Sequence, residues 1–357
     1  MMRTILKNSR ARLFVSVAVA STIFMTLAGC GASEPAAGSK GEVNIYSARH
    51  YDADEQLYDL FEKNTGIAIN RIEMKGDLLL ERLKAEGTQS PADVILLVDA
   101  GNFWRAETAG LFQPVQSSKL DEVVPANLQG PKKDWFGFAK RARVIAYDPV
   151  RVKADQVATY AQLAEPAMKG KVCVRPSSNV YNLSLMSSFI ADWGAPKAEA
   201  WAKGVVANFA RPPEGADTDQ LKAIAEGKCA VAIVNHYYAV RLQRSEDAGD
   251  KAVASKIALS FPDQAGAGTH VNISGGALAA HAPNKANAVA FLEFLASPEA
   301  QKIFAKANDE FPILPSAMDD NSELKALAGF KEAKTPMAVL GTNQPEAQKV
   351  FDRAGWK

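Results

Sequence analysis

The chain has 357 residues, 47% hydrophobic and 23% charged, with 41 basic side chains against 40 acidic ones. That balance argues against a protein that works by charge on nucleic acid or on an anionic membrane surface. The length suffices for two domains with proper cores, and no internal repeat interrupts it.

Residues 1–29 read as a signal peptide. MMRTILKNSRAR carries four positive charges and no acid, LFVSVAVASTIFMTLA is an apolar to weakly polar run, and LAGC closes it at Cys30. The run is too short, and too soon followed by a small-residue cleavage site, for a membrane span. LAGC resembles the lipobox of bacterial lipoproteins, in which the cysteine is acylated and becomes the first residue. The alternative is an ordinary secretory signal with a chance cysteine. Residues 30–41 are then a lipid-anchored cysteine and a flexible tether, GASEPAAGSKG. Losing Arg3, Lys7, Arg10 and Arg12 leaves 37 basic residues facing 40 acidic ones, so the exported chain is mildly acidic.

After the tether, EVNIYSA alternates as a strand, and ADEQLYDLFEKNTG has helical apolar spacing that stops at Gly66. IAINRIEM is a second strand, GDLLLERLKAEG a second helix, and PADVILLVD a third, buried strand. RARVIAYDP reads as a further strand following WFGFAKR. KVCVRPSS, the helices SLMSSFIADWG and QLKAIAEG, and the strand CAVAIVN form a second α/β unit. KIALSFPDQ and HVNISGGALAA lead back as strands. PNKANAVAFLEFLASPEAQKIFAKAN is then an amphipathic helical pair broken at Pro298.

Two exported α/β units predict a two-lobed, hinged binding protein with a ligand cleft beyond the strand ends. The first lobe is expected over 42–140 plus about 266–320, the second over about 141–265 plus 321–357. The chain would cross between them within 140–147 and return within 261–275.

Cys173 lies eight residues before Tyr181, and Cys229 eight before Tyr237. In an oxidising setting that symmetry predicts a disulfide between neighbouring strands, the alternative being two buried thiols. Of eight tyrosines, Tyr51, Tyr181, Tyr237 and Tyr238 all fall at predicted strand-to-helix junctions. In a regular strand Tyr237 and Tyr238 would face opposite ways; a turn into a helix lets both phenols converge.

The order GEVNIYSARHYDADEQLYDLFEKNTG, SPADVILLVDAGNFWRAETAGLFQP, WFGFAKRARVIAYD, SSNVYNLSL, NHYYAVRL, FPDQAGAGTHVNISGGAL resembles the periplasmic ferric-iron-binding proteins of bacterial iron ABC importers. The likeness covers nearly the whole exported chain. It implies a periplasmic-binding-protein fold of the type II kind. It also implies that Tyr51, Tyr181, Tyr237 and Tyr238 bind ferric iron (Fe3+), joined by His50, and that an ABC permease with its ATPase receives the metal from a monomeric carrier. Nucleic acid has no part in this, and the membrane enters only through the lipid anchor.

Elementary chemistry agrees with that expectation. Ferric iron is small, hard and triply charged, and prefers anionic oxygen. Ionising a free tyrosine at pH 7 costs about 3 pKa units, roughly 4 kcal/mol, which only a strongly charged metal repays. Three or four phenolates would leave the site neutral or singly negative, so nearby arginines should balance it. Arg141 and Arg241 are the first candidates, with Arg49 and Arg105 behind them. His236 would point away and is left out of the ligand set, while His270 and His281 read as structural or exposed. Asp217 and Asp219 read as caps of a helix beginning at Gln220.

No HExxH, GxSxG or GxGxxG pattern occurs, so an enzyme is not expected. The rival is a carrier of a small organic ligand such as a polyamine or a phosphonate, with tyrosines stacking on it.

Overall fold

Each alternating or apolar run of the sequence builds a strand in the computed structural model, which describes residues 40–49, 51 and 54–357. The expected signal peptide, Cys30, most of the tether and His50 lie outside the described residues. In chain order the strands are β1 (Glu42–Ser47), β2 (Ala68–Glu73), β3 (Val94–Val98), β4 (Trp135–Tyr147), β5 (Val172–Cys173), β6 (Val231–Asn235), β7 (Ala258–Ser260), β8 (Val271–Leu278) and β9 (Phe311–Pro312). Among the described residues they form one sheet in the order β2-β1-β3-β8-β4-β6-β5, with β7 and β9 also pairing on β4.

The pairs β1–β2, β1–β3 and β5–β6 are parallel, and crossover helices Asp54–Thr65 and Gly76–Glu86 join β1, β2 and β3. Strands β3, β4, β6 and β8 meet antiparallel.

β4 extends the strand expected over RARVIAY back through the preceding WFGFAKR, in one run of 13 residues. Its first part, Trp135 to Ala142, pairs with β8, and its last part, Arg143 to Tyr147, pairs with β6. One strand thus serves both ends of the sheet. Packing at the β4–β8 seam is tight enough to require a glycine: a Cβ on Gly275 would stand 2.0 Å from the Phe136 carbonyl oxygen.

Each end of the sheet has its own apolar packing. At one end Val43, Ile45, Val94, Leu97, Phe138 and Ile273 bury against Leu57, Phe61, Phe103 and Phe291. At the other, side-chain alternation divides the strands between two faces. Ile145, Val172, Val231 and Ile233 pack on Met186, Phe189 and Trp201, while Val144, Cys173, Ala232 and Val234 pack on Leu221, Ile224 and Leu242. The C-terminal segment is shared: Met337 and Leu340 join the first core, whereas Ala347, Val350 and Trp356 join the second.

Two local readings need correction. A helix over Ala100–Thr108, capped by the Asp99 side chain, was not anticipated. The helix assigned to Gln220 begins at Asp217. Only Asp219 caps it, accepting from the Ala216 N–H at 2.7 Å, because the Asp217 carboxylate is buried on Arg143 at 2.7 Å.

Cys173 of β5 and Cys229, just before β6, are joined by a disulfide, with Cα atoms 5.9 Å apart and a sequence separation of 56. Alkylation of the untreated protein should find no free thiol at either position. Replacing both by alanine should lower the free energy of unfolding, read from urea titration, by about 4 kcal/mol in a chain-entropy treatment.

Candidate metal centre

β6 ends at Asn235 and a helix, His236–Arg244, begins at the next residue. Successive side chains then turn by roughly 100° instead of 180°. That change puts the Tyr237 and Tyr238 rings side by side, with centroids 4.3 Å apart and planes inclined by 33°. Tyr181 is the second residue of the helix Val180–Trp193, whose first turn is capped by Asn179. Tyr51 precedes the helix Asp54–Thr65, and its carbonyl accepts from the Asp54 N–H at 2.8 Å. All four phenols therefore stand at helix N-termini, where backbone dipoles favour negative charge.

They converge. Tyr51 meets Tyr237 edge to face with centroids 6.5 Å apart, although the two come from opposite ends of the sheet. Tyr237 is fully buried, and the other three are partly exposed.

Arginines surround the cluster. Arg241, three and four residues beyond the tyrosine pair on one helix, lies 5.3 Å from the Tyr51 ring, 5.7 Å from Tyr237 and 6.0 Å from Tyr238. Arg141 stands 5.5 Å from Tyr237 and 5.6 Å from Tyr181, and Arg49 lies 5.0 Å from Tyr51. Arg105 does not belong here: it ion-pairs with Asp77 at 2.9 Å and donates to Asn102, because its helix faces Asp77.

Sequence reading missed Arg143 and Arg175, 5.7 and 5.3 Å from the Tyr181 ring, and Glu310. Glu310 is buried between Arg49 at 3.2 Å and Arg141 at 2.8 Å. A signal for Arg143 was present, since Arg141 and Arg143 alternate with Ala142 and Val144 on a strand whose one other charged residue is Lys140. Asp217 balances Arg143 and Arg175. The two terminal nitrogens of Arg141 have no hydrogen-bond partner among the described residues.

Burial pushes the phenols of Tyr51, Tyr237 and Tyr238 above the ordinary tyrosine value. For Tyr237 the neighbouring Tyr181, Tyr51 and Tyr238 push it further up, while Arg141 pulls it down. Without a bound cation these three are neutral phenols at physiological pH. Burial opposes the Glu310 carboxylate, but Arg49 and Arg141 outweigh it and hold it at about 2. His236 is kept neutral, at about 3, by burial; its Nδ1 accepts from the Ala142 N–H and its ring stacks on Phe311 at 4.2 Å. Its ring also meets the Tyr237 ring edge to face, with centroids 5.8 Å apart, so it packs behind the phenols. His270 is buried and His281 exposed.

Among the described residues no group of three His, Cys, Asp or Glu side chains is placed to hold a metal. No helix among them is long and apolar enough to cross a membrane. The concentration of oxygen donors lies in the tyrosines.

Together these features define a carrier with a polar site formed from both ends of a mixed sheet. The chain matches the bacterial extracellular solute-binding protein family over residues 56–332, and belongs to it. It is 46% identical to iron uptake protein A1 of Synechocystis over 97% of this chain and 98% of that protein. A Trichodesmium protein (IdiA, FutA) solved in complex with iron and citrate ligands superposes with a TM-score of 0.85 at 52% identity, covering 89% of this chain and 100% of that one. The ferric binding protein from Campylobacter jejuni superposes with a TM-score of 0.84 at 39% identity, covering 88% and 100%. The fold is the two-lobed α/β architecture of these solved structures.

Proposed function

We propose that this protein captures ferric iron between its lobes through phenolate oxygens and delivers it to an ABC permease for import. The observation that carries this reading is the convergence of Tyr51, Tyr181, Tyr237 and Tyr238, from three places in the sequence, inside a ring of arginines. The family match and the iron-related names of the similar proteins support it. A surround of cations disfavours a polyamine. Adjacent phenols at one helix start suit chelation better than stacking on an organic ligand.

In this reading Tyr51 comes from the first lobe, residues 42–140 and about 266–320, and the other three from the second. His50 joins Tyr51 on the metal. The protein is exported, tethered through an acylated Cys30, and acts as a monomer that catalyses no reaction.

Ferric citrate added to the iron-free protein should produce visible colour. Because the ligands come from both lobes, iron favours the closed form by the bonds available only there. Small-angle scattering should show wild type becoming more compact with ferric iron, while Tyr51→Phe combined with His50→Ala should bind more weakly and without compaction. Equal compaction in both would contradict the bridging role of Tyr51 and His50.

A further inference from the structure

Asp99 stands out in the backbone. It follows β3 with φ 76° and ψ 128°, a region that L-residues other than glycine rarely occupy. A glycine would adopt this conformation freely, so an aspartate there implies work for its side chain.

The carboxylate is fully buried, and its partners come from both ends of the molecule. Oδ1 accepts from the Gly101 N–H at 2.9 Å, and Oδ2 accepts from the Asn272 side-chain amide at 2.8 Å, both groups belonging to elements of the first core. Oδ1 also accepts from the Ser184 hydroxyl. Ser184 lies one turn beyond Tyr181 on the helix Val180–Trp193, which packs in the second core. The Ser184 hydroxyl accepts in turn from the Gln344 amide at 3.1 Å.

The position is close to the pivot. Asn272 sits opposite Arg141 in the β4–β8 ladder, one residue before Ala142, the last β4 residue paired with β8. The joint is also closely packed. A Cβ on Gly101 would fall 1.7 Å from the Gln344 side-chain nitrogen, and one on Gly341 would fall 2.1 Å from the Trp104 Cβ.

We infer that Asp99 is a positioning residue at the hinge, which through Ser184 fixes the Tyr181 helix against the first core and so sets where that phenol meets the others. A strained backbone is maintained there because the carboxylate must reach donors on both sides. Displacement between the cores is smallest near the pivot, so the joint persists whether or not ligand is bound.

The test uses Asp99→Gly, which suits the local backbone while removing the carboxylate, together with Ser184→Ala and the double variant. In the iron-free protein, amide hydrogen exchange over residues 182–186 should accelerate about tenfold in either single variant, with the remaining chain little changed. Ferric affinity, measured by citrate competition, should fall about tenfold in each, the lower end of the loss for a group bonded directly to a metal ligand, because Asp99 acts on Tyr181 through the helix that carries Ser184. The double variant should lose less than the two single losses combined, because the bond between Asp99 and Ser184 is counted in both. Unchanged exchange in that turn, exchange rising evenly along the chain, or wild-type affinity in both variants would each overturn the inference. The affinity arm rests on the ferric-iron reading above. Wild type failing to bind ferric iron would refute that reading alone, and the exchange arm would still decide the role of Asp99.

Discussion

Tyr237→Phe combined with Tyr238→Phe should abolish most of the visible absorbance produced by ferric iron and weaken binding by at least about a thousandfold. The colour would arise from charge transfer between ionised phenols and the metal, so removing two of four oxygens removes the orbitals as well as the charge. The magnitude follows from comparison: losing a partner merely adjacent to a metal ligand costs roughly 10- to 100-fold, and here two ligands are lost together. Phenylalanine keeps the ring, so the 4.3 Å contact between the two side chains and the burial of position 237 should survive. Thermal unfolding of the iron-free variant should therefore stay near wild type. A double variant that retains full colour and affinity would remove the adjacent pair from the ligand set.

The site was legible where local geometry alone decides it. A strand of β-branched residues that runs directly into a helix announces the turn at Asn235, and the tyrosines follow it. Arg241 was legible because spacings of three and four place it beside both tyrosines on one helix face. The buried charges were harder. Arg143, Arg175, Glu310 and Asp217 form pairs separated by up to 261 positions in the case of Arg49 and Glu310, and no local pattern announces such a partner. Arg105 shows the converse error: an arginine in a promising segment faces Asp77, because the orientation of the helix after Asp99 depends on a backbone conformation that sequence does not reveal. The length of β4 escaped notice because Lys140, Arg141 and Arg143 break an apolar run that only the surrounding carboxylates make tolerable.

These buried pairs also explain how the phenols can stay together before iron arrives. Arg49 and Arg141 share Glu310, with Asp54 completing the charge balance around Arg49. Arg143 and Arg175 share the single carboxylate of Asp217, so the Tyr181 side keeps an excess positive charge, and Arg241 adds another. A surplus of cations beside neutral phenols lowers the work of ionising them once a metal binds. It does not ionise them beforehand, since burial raises Tyr51, Tyr237 and Tyr238 above the ordinary value.

Ferric affinity should therefore fall steeply in acid. Tyr51, Tyr237 and Tyr238 begin protonated and give up their protons on becoming ligands, so the logarithm of the affinity rises with pH by the number of protons released. Three or four phenolates predict a slope of about three to four, hence a loss of at least roughly a thousandfold between pH 7 and pH 6. Glu310, held at about 2, stays ionised throughout and adds nothing to the slope. His236 and His270 contribute differently. Held neutral at about 3, they make the unfolded chain the better proton acceptor below its ordinary histidine value near 6.5, so stability declines as pH falls through that range. The titration is best confined to about pH 6 to 8, with circular dichroism confirming that the protein remains folded. Citrate competition, followed by the visible band and corrected for the protons of citrate and for iron hydrolysis, reads the slope directly. A value near zero or one would mean that at most one phenol loses a proton, which is incompatible with a tyrosinate site for ferric iron.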